Sequence, residues 1–186
     1  MKTKYILSGG HADRPNEEND KFFKEILNTE KKELKILLVY FAKNESEYER
    51  MTKGDKYQFE HLKGDKELSF EIAEKEKFRA QVREADIVYL HGGRNLRLLK
   101  FLKAQENIKE LFSGKIVAGE SAGAYVLSTC FYSKSEGGVF EGLGLVPVKT
   151  ICHYIGENKE KLEECPEELE TLLLPDYEYK VFWNES

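Results

Sequence analysis

Four short apolar runs, three of them ending in glycine-rich turns, restrict what this chain can become. Lys35-Ile36-Leu37-Leu38-Val39-Tyr40-Phe41 and Asp86-Ile87-Val88-Tyr89-Leu90 are continuous rather than alternating. Continuous runs are the pattern of strands covered on both faces. Tyr5-Ile6-Leu7 runs into Ser8-Gly9-Gly10, the Asp86 run into His91-Gly92-Gly93, and Lys115-Ile116-Val117-Ala118 into Gly119-Glu120-Ser121-Ala122-Gly123. Between the runs lie segments with helical spacing. Asn16 to Leu27 carries Phe22, Phe23, Ile26 and Leu27, and Lys75 to Ala85 is helical in composition. Asn95 to Leu111 repeats Leu98, Leu99, Leu102, Ile108 and Leu111, with Gly114 placed as a helix C-cap. Buried strands alternating with helices predict an α/β fold, a doubly wound and mostly parallel sheet with helices on both faces.

The remaining segments are less regular. Residues 43–66 are polar, with Tyr48, Met51 and Tyr57 suggesting a helix, and Leu68 to Ile72 alternates like a strand. After Cys130 the glycines at 137, 138, 142 and 144 predict loops and short strands. Glu157 to Leu173 reads as acidic and partly helical, and Tyr179 to Trp183 as a last strand. No repeat or linker divides the chain, so residues 1–186 are read as a single domain, a length that suffices for a sizeable core.

Charge and composition narrow the function classes. A formal net charge of −5 argues against non-specific nucleic-acid binding. No apolar stretch approaches the roughly 20 residues a membrane helix needs, and Met1-Lys2-Thr3-Lys4 does not open a signal peptide. The three cysteines, Cys130, Cys152 and Cys165, are odd in number and form no C-x-x-C pair. Neither a disulfide framework nor a zinc site is expected from them, and a reducing cytoplasm is the expected compartment.

Chemistry is expected at the third glycine turn. Gly119-Glu120-Ser121-Ala122-Gly123 has the Gly-x-Ser-x-Gly spacing of a nucleophile elbow. Its glycines let a strand and a helix approach without a Cβ clash, and the helix start points free N–H groups at the serine. A serine needs a base, and the candidates are His11, His61, His91 and His153. His61 lies in the polar stretch and reads as solvated. His11 and His91 follow glycine-bearing strand ends, so both stay near the site. His153 alone follows the serine and is preferred. The oxyanion donors are expected from Ala122, directly after the nucleophile, and from Gly92 and Gly93 on a neighbouring strand. Among the acids after His153, Asp176 follows Pro175 in a loop, whereas Glu185 directly follows the last strand, and Glu185 is preferred as the orienting carboxylate. The resulting order, serine, histidine, acid, differs from that of α/β-hydrolases.

With these residues placed, the chain resembles the aspartyl dipeptidase (dipeptidase E) family of serine peptidases, whose fold is like that of class I glutamine amidotransferases. The resemblance spans nearly the whole chain. It rests on Ser8-Gly9-Gly10, the Ile36 to Ala42 strand, the Tyr89 to Leu99 segment and the elbow Gly119-Glu120-Ser121-Ala122-Gly123-Ala124. It extends to His153-Tyr154 after Gly142-Leu143-Gly144-Leu145 and to Phe182-Trp183-Asn184-Glu185-Ser186. Two departures stand out. His91-Gly92-Gly93-Arg94-Asn95 replaces a Gly-Gly-Gly-Asn-Thr-like run. The chain also stops at Ser186, where family members continue into a further strand, so it reads as either shortened or a minimal member.

The resemblance implies hydrolysis of short peptides after an N-terminal aspartate, through Ser121, His153 and Glu185, with no metal or organic cofactor. Physically, an aspartyl side chain wants a cation or several donors, so Arg94 and Asn95 are the expected substrate-binding residues, with Arg97 and Arg14 as further cations. The partner implied is a small peptide, and a homodimer stays open. Two rivals also stay open: an inactive binding or regulatory member of the same fold, and an amidase for another small amide such as a β-aspartyl peptide.

Overall fold

A computed structural model describes residues 2–12, 14 and 16–185, with the side chain of Glu185 lying outside the described residues. The larger sheet holds β1 (Lys2–Ser8), β2 (Glu33–Val39), β3 (Glu67–Ile72), β4 (Ile87–Leu90), β5 (Ile116–Glu120) and β10 (Tyr179–Glu185). Their spatial order is β10-β1-β5-β4-β2-β3, with five parallel strands and β10 antiparallel along the β1 edge. A second sheet, β7-β6-β8-β9, is built from β6 (Ser128–Ser133), β7 (Gly138–Glu141), β8 (Val146–Cys152) and β9 (Glu170–Leu174). The sequence predicts only loops and short strands there. The structure joins them into one layer because β6 runs parallel to β8 and β8 to β9.

The expected continuous strands are covered on both faces, and successive residues divide between two cores. Leu37, Val39, Val88, Leu90 and Val117 face one core with Phe78, Leu98, Leu102 and residues of the second sheet. Ile36, Leu38, Ile87, Tyr89 and Ala118 face the other, with Phe22, Phe23, Ile26, Met51 and Phe59. Those partners come from α1 (Glu17–Ile26) and α2 (Tyr48–Leu62) on one side. On the other side lie α3 (Phe78–Glu84), α4 (Asn95–Lys103), α5 (Ile108–Leu111) and α6 (Ala122–Leu127). Asn16 caps α1 through its side chain, which accepts from Asn19 N–H.

Three expectations change. The single helix over Asn95 to Leu111 is broken into α4 and α5, with Asn107 left-handed at φ 51° between them. The stretch Glu157 to Leu173 yields only a 3-10 turn at Lys159–Glu164 before β9 begins. Finally, Cys130 and Cys165 form a disulfide across 35 residues, with Cα atoms 5.9 Å apart, and Cys152 is the free, buried cysteine. The pairing joins β6 to the segment before β9, two elements that no local motif links. Closing a loop of that length stabilises by about 4 kcal/mol in the chain-entropy picture. It also removes the unpaired-cysteine ground for expecting a reducing compartment. No helix among the described residues is long and apolar enough to cross a membrane.

Candidate active site

The glycine turns at the carboxyl ends of β1, β4 and β5 converge, because these strands lie side by side and run parallel. Ser121 stands between β5 and α6 with φ 48° and ψ −100°, a conformation that a non-glycine residue holds only when its surroundings enforce it. The surroundings are specific. A Cβ on Gly119 would fall 2.4 Å from the Gly123 carbonyl carbon, and one on Gly123 would fall 2.3 Å from Leu90 O. Only glycines at both positions let β5, α6 and β4 close this tightly. Ser121 N–H donates to Ser8 O at 2.9 Å, tying the elbow to the end of β1.

His153 follows β8 directly, in a left-handed conformation with φ 53°. Its N–H donates to Gly9 O at 3.0 Å. Gly10 leaves the space its ring occupies, since a Cβ there would lie 2.1 Å from His153 Cε1. The ring is thereby aimed at the elbow, with Nε2 2.8 Å from Ser121 Oγ. Its Nδ1 lies 2.6 Å from Asp176 Oδ1. Asp176 sits in the turn after β9, where Tyr177, at φ 68°, donates its N–H to Gly10 O at 3.1 Å. The first glycine turn therefore supports both the histidine and the acid.

Glu185 is not brought to this cluster. Its backbone pairs with Lys2, whereas Tyr179, at the start of β10, pairs with Ser8 beside the elbow. Six residues of strand, about 20 Å, separate the two ends. Because β10 is antiparallel to β1, its last backbone pairing lies at the end of β1 remote from the site. The carboxylate beside His153 is Asp176, which the sequence offers as the alternative. The usable signal is its place after the apolar Leu172-Leu173-Leu174 run and Pro175, at the carboxyl end of a parallel strand.

Asp176 also serves a second imidazole. His11 Nε2 lies 3.3 Å from Asp176 Oδ2, and the His11 and His153 rings stand edge to face with centroids 5.2 Å apart. The ligating atoms of His11, His153 and Asp176 all lie within 4.8 Å of one another, the spacing of a cation-binding group. His61 is elsewhere, exposed on α2 and stacked on Tyr57.

Of the expected oxyanion donors, Gly92 is engaged: its N–H donates to Glu120 Oε2 at 3.1 Å. Ala122 opens α6, where the first N–H groups have no intrahelical acceptor. Gly93 is held at φ 145°, packed so that a Cβ would fall 2.6 Å from Ala42 O. Beneath this turn lies a buried polar group. Glu120 also accepts from Ala12 N–H at 3.3 Å. His91 Nδ1 lies 3.5 Å from Glu120 Oε2, and its Nε2 lies 3.7 Å from Asp55 Oδ1. Asp55 in turn accepts from the Tyr40 hydroxyl at 2.8 Å. Burial first, and the Asp55 charge second, push the Tyr40 phenol far above its ordinary pKa.

A cavity of about 620 Å³ opens over Ser121 and His153, and Gly92, Gly93, Asn95 and Glu120 line it. That is within the range of small-ligand sites. Asn95 is buried there, donating Nδ2–H to Ser133 Oγ at 2.8 Å, while its Oδ1 makes no hydrogen bond among the described residues. Arg94 is exposed and is not part of the lining, and Arg97 hydrogen-bonds Asn44 Oδ1 at 3.1 Å. The cations that line the cavity are Arg14, Lys43 and Lys134. Sequence reasoning weighs Arg14 and passes over the other two.

Comparison with known proteins gives a consistent picture. The family model of peptidase family S51 matches residues 5–173. A crystal structure of a peptidase from an acI-B1 Actinobacterium superposes with a TM-score of 0.69 at 22% identity, covering 98% of this chain and 84% of that one. A protein designated peptidase E from Listeria monocytogenes EGD-e superposes with a TM-score of 0.66 at 20% identity, covering 100% of each chain. No curated protein matches the chain.

Proposed function

Since this chain belongs to peptidase family S51 and is a serine-type peptidase, we propose that Ser121, His153 and Asp176 carry out acyl transfer on short peptides with an N-terminal aspartate. The observation that carries this reading is the continuous pair of contacts from Ser121 Oγ to His153 Nε2 and from His153 Nδ1 to Asp176 Oδ1. The strained backbone at Ser121 supports it, because strain of that kind concentrates at functional sites.

His153 takes the Ser121 proton as the oxygen attacks the scissile carbonyl. Asp176 holds the ring in the tautomer with hydrogen on Nδ1 and stabilises the imidazolium that forms. The N–H groups of Ala122 and Gly93 receive the oxyanion, each contributing roughly 3 kcal/mol to the transition state. Gly92 has a supporting part: its amide, held by Glu120, fixes the turn that presents Gly93. His153 then protonates the leaving amine, and water resolves the acyl-enzyme by the same route.

The cations on the cavity wall supply a reason for an acidic side chain, since a carboxylate leaving water needs charged donors. Lys43, partly buried beside the Gly93 turn, is the best placed of them in this reading. The test is a fluorophosphonate label followed by substrate profiling. Labelling at Ser121 and a preference for Asp-Xaa over β-Asp-, Glu- and Ala-linked amides are expected. Lys43→Ala should lower that preference by roughly tenfold, about 1.4 kcal/mol. Arg94→Ala should change it by less than about twofold. A larger effect of Arg94→Ala would return the selectivity to Arg94. Absence of labelling in folded protein would remove the nucleophile.

A further inference from the structure

We propose that His11, Asp176 and His153 form a binding site for a zinc-class divalent cation, and that its occupancy switches the peptidase off. The site lies on the side of His153 away from Ser121. Two imidazoles and one carboxylate are the donor set that suits zinc, and three protein ligands with one open position is a common zinc arrangement.

The structure brings the three donors together before any cation arrives. His153 Nδ1 is 2.6 Å from Asp176 Oδ1, His11 Nε2 is 3.3 Å from Asp176 Oδ2, and all the donor atoms fall within 4.8 Å. Ligands of a tetrahedral zinc stand about 3.3 Å apart, given bonds of about 2.0–2.1 Å. An adjustment on the order of 1 Å therefore completes the geometry. The side chains can make it, since 32%, 35% and 43% of His11, Asp176 and His153 remain exposed. The backbone beneath them is held. His11 O accepts from the buried Asn19 Nδ2 at 2.8 Å, and His153 N–H and Tyr177 N–H are bonded to Gly9 and Gly10. These contacts lower the ordering that binding demands of His11, His153 and Asp176.

The inhibitory step is a change of tautomer with balanced protons. Without metal, Nδ1 of His153 carries hydrogen and Nε2 offers its lone pair to the Ser121 hydroxyl. A cation on the Nδ1 lone pair requires that proton to leave for solvent. The metal-bound ring, left without a proton, takes one from solvent at Nε2 and is neutral again, so one proton leaves and one returns. Nε2–H cannot accept the serine proton, and Ser121 loses its base while substrate can still occupy the cavity. His11 likewise binds through Nε2 and keeps hydrogen on Nδ1, and Asp176 becomes a ligand. The inhibition, though not the binding, rests on His153 being the base.

The experiment titrates Zn²⁺ calorimetrically and Co²⁺ by its visible absorption into the wild type, Ser121→Ala, His11→Ala and His11→Gln. Peptidase inhibition by Zn²⁺ is measured in parallel for the wild type and the two His11 variants, each scaled to its own metal-free rate. One equivalent should bind to the wild type and to Ser121→Ala alike, with the Co²⁺ spectrum of a four-coordinate site. Inhibition should lower kcat more than it raises KM and reverse with chelator. His11→Gln keeps a donor for Asp176 but removes a ligand, so binding and inhibition should both weaken by at least roughly tenfold. Equal affinity in the wild type and His11→Gln would overturn the site, as would loss of binding in Ser121→Ala, which would put the cation on the serine side. Stoichiometric binding by a protein without peptidase activity would leave the site standing and remove the catalytic reading instead.

Discussion

His153 and His91 are built from the same parts and differ in what surrounds them. Each directly follows the last residue of a parallel strand, β8 for one and β4 for the other, and each stands beside a carboxylate. The His153 side chain is 43% exposed and has a serine hydroxyl on its free nitrogen. The His91 side chain is 3% exposed, stands between two buried carboxylates, and has no hydrogen bond at Nε2 among the described residues. Chemistry at a histidine requires a reacting partner on one nitrogen and an orienting one on the other, and only His153 has both. His91, Glu120 and Asp55 instead form a tie beneath the elbow, joining the β4 turn, the elbow and α2. A buried polar cluster of this kind carries a desolvation cost. Its yield is the position of Gly92 and Gly93.

The largest effects should fall on the exposed histidine's partners. Ser121→Ala should lower kcat by roughly a millionfold while leaving thermal stability within about 1 kcal/mol. Asp176→Asn should lower it by roughly ten-thousandfold, because the amide favours the wrong tautomer of His153. Glu185→Gln, by contrast, should change the rate by less than about twofold. Rate assays on the three purified variants decide between the acids, and a large loss at Glu185 with a small one at Asp176 would reverse the assignment made from geometry.

The acid is where local sequence signals stop. The strands, the elbow, the histidine that contacts Ser121 and the first glycine turn are legible because each is local: a continuous apolar run, a five-residue spacing, a lone downstream histidine. The choice between Asp176 and Glu185 depends instead on strand direction. Both follow strands, but β9 runs parallel to β8 and delivers Asp176 to the site, whereas β10 turns back along β1. The same limit hid the second sheet and the Cys130–Cys165 bridge, which join residues far apart in the chain. The role of Glu120 was hidden differently. It occupies the variable position of the elbow, and only the fold shows that it holds the Gly92 amide.

The buried tie should respond in stability before it responds in rate. Glu120→Ala removes the acceptor for the Gly92 and Ala12 N–H groups and leaves His91 with Asp55 and Gly92 O. Unfolding free energy should fall by about 3 kcal/mol, read from denaturant midpoints at constant m. The rate of the folded fraction should fall by roughly tenfold as the Gly93 turn loosens. A variant with wild-type stability would break the contrast between the two histidines, since the lower cluster would then hold nothing in place.

Cys152 gives the finest test of whether burial or neighbourhood sets reactivity here. It immediately precedes His153, and its sulfur lies 3.6 Å from Ser121 O, yet it is buried like His91. Burial first, and the nearby charges of Glu120 and Asp176 second, push its thiol well above the ordinary cysteine range. The thiolate is the reactive form, so at mildly alkaline pH Cys152 should resist iodoacetamide in the folded protein and react once it is unfolded. Mass-spectrometric counting of the label checks this. Alkylation of the native thiol at the rate of a free cysteine would mean that the floor of the site opens to solvent. His91, which lies in the same floor, could then no longer be treated as fixed.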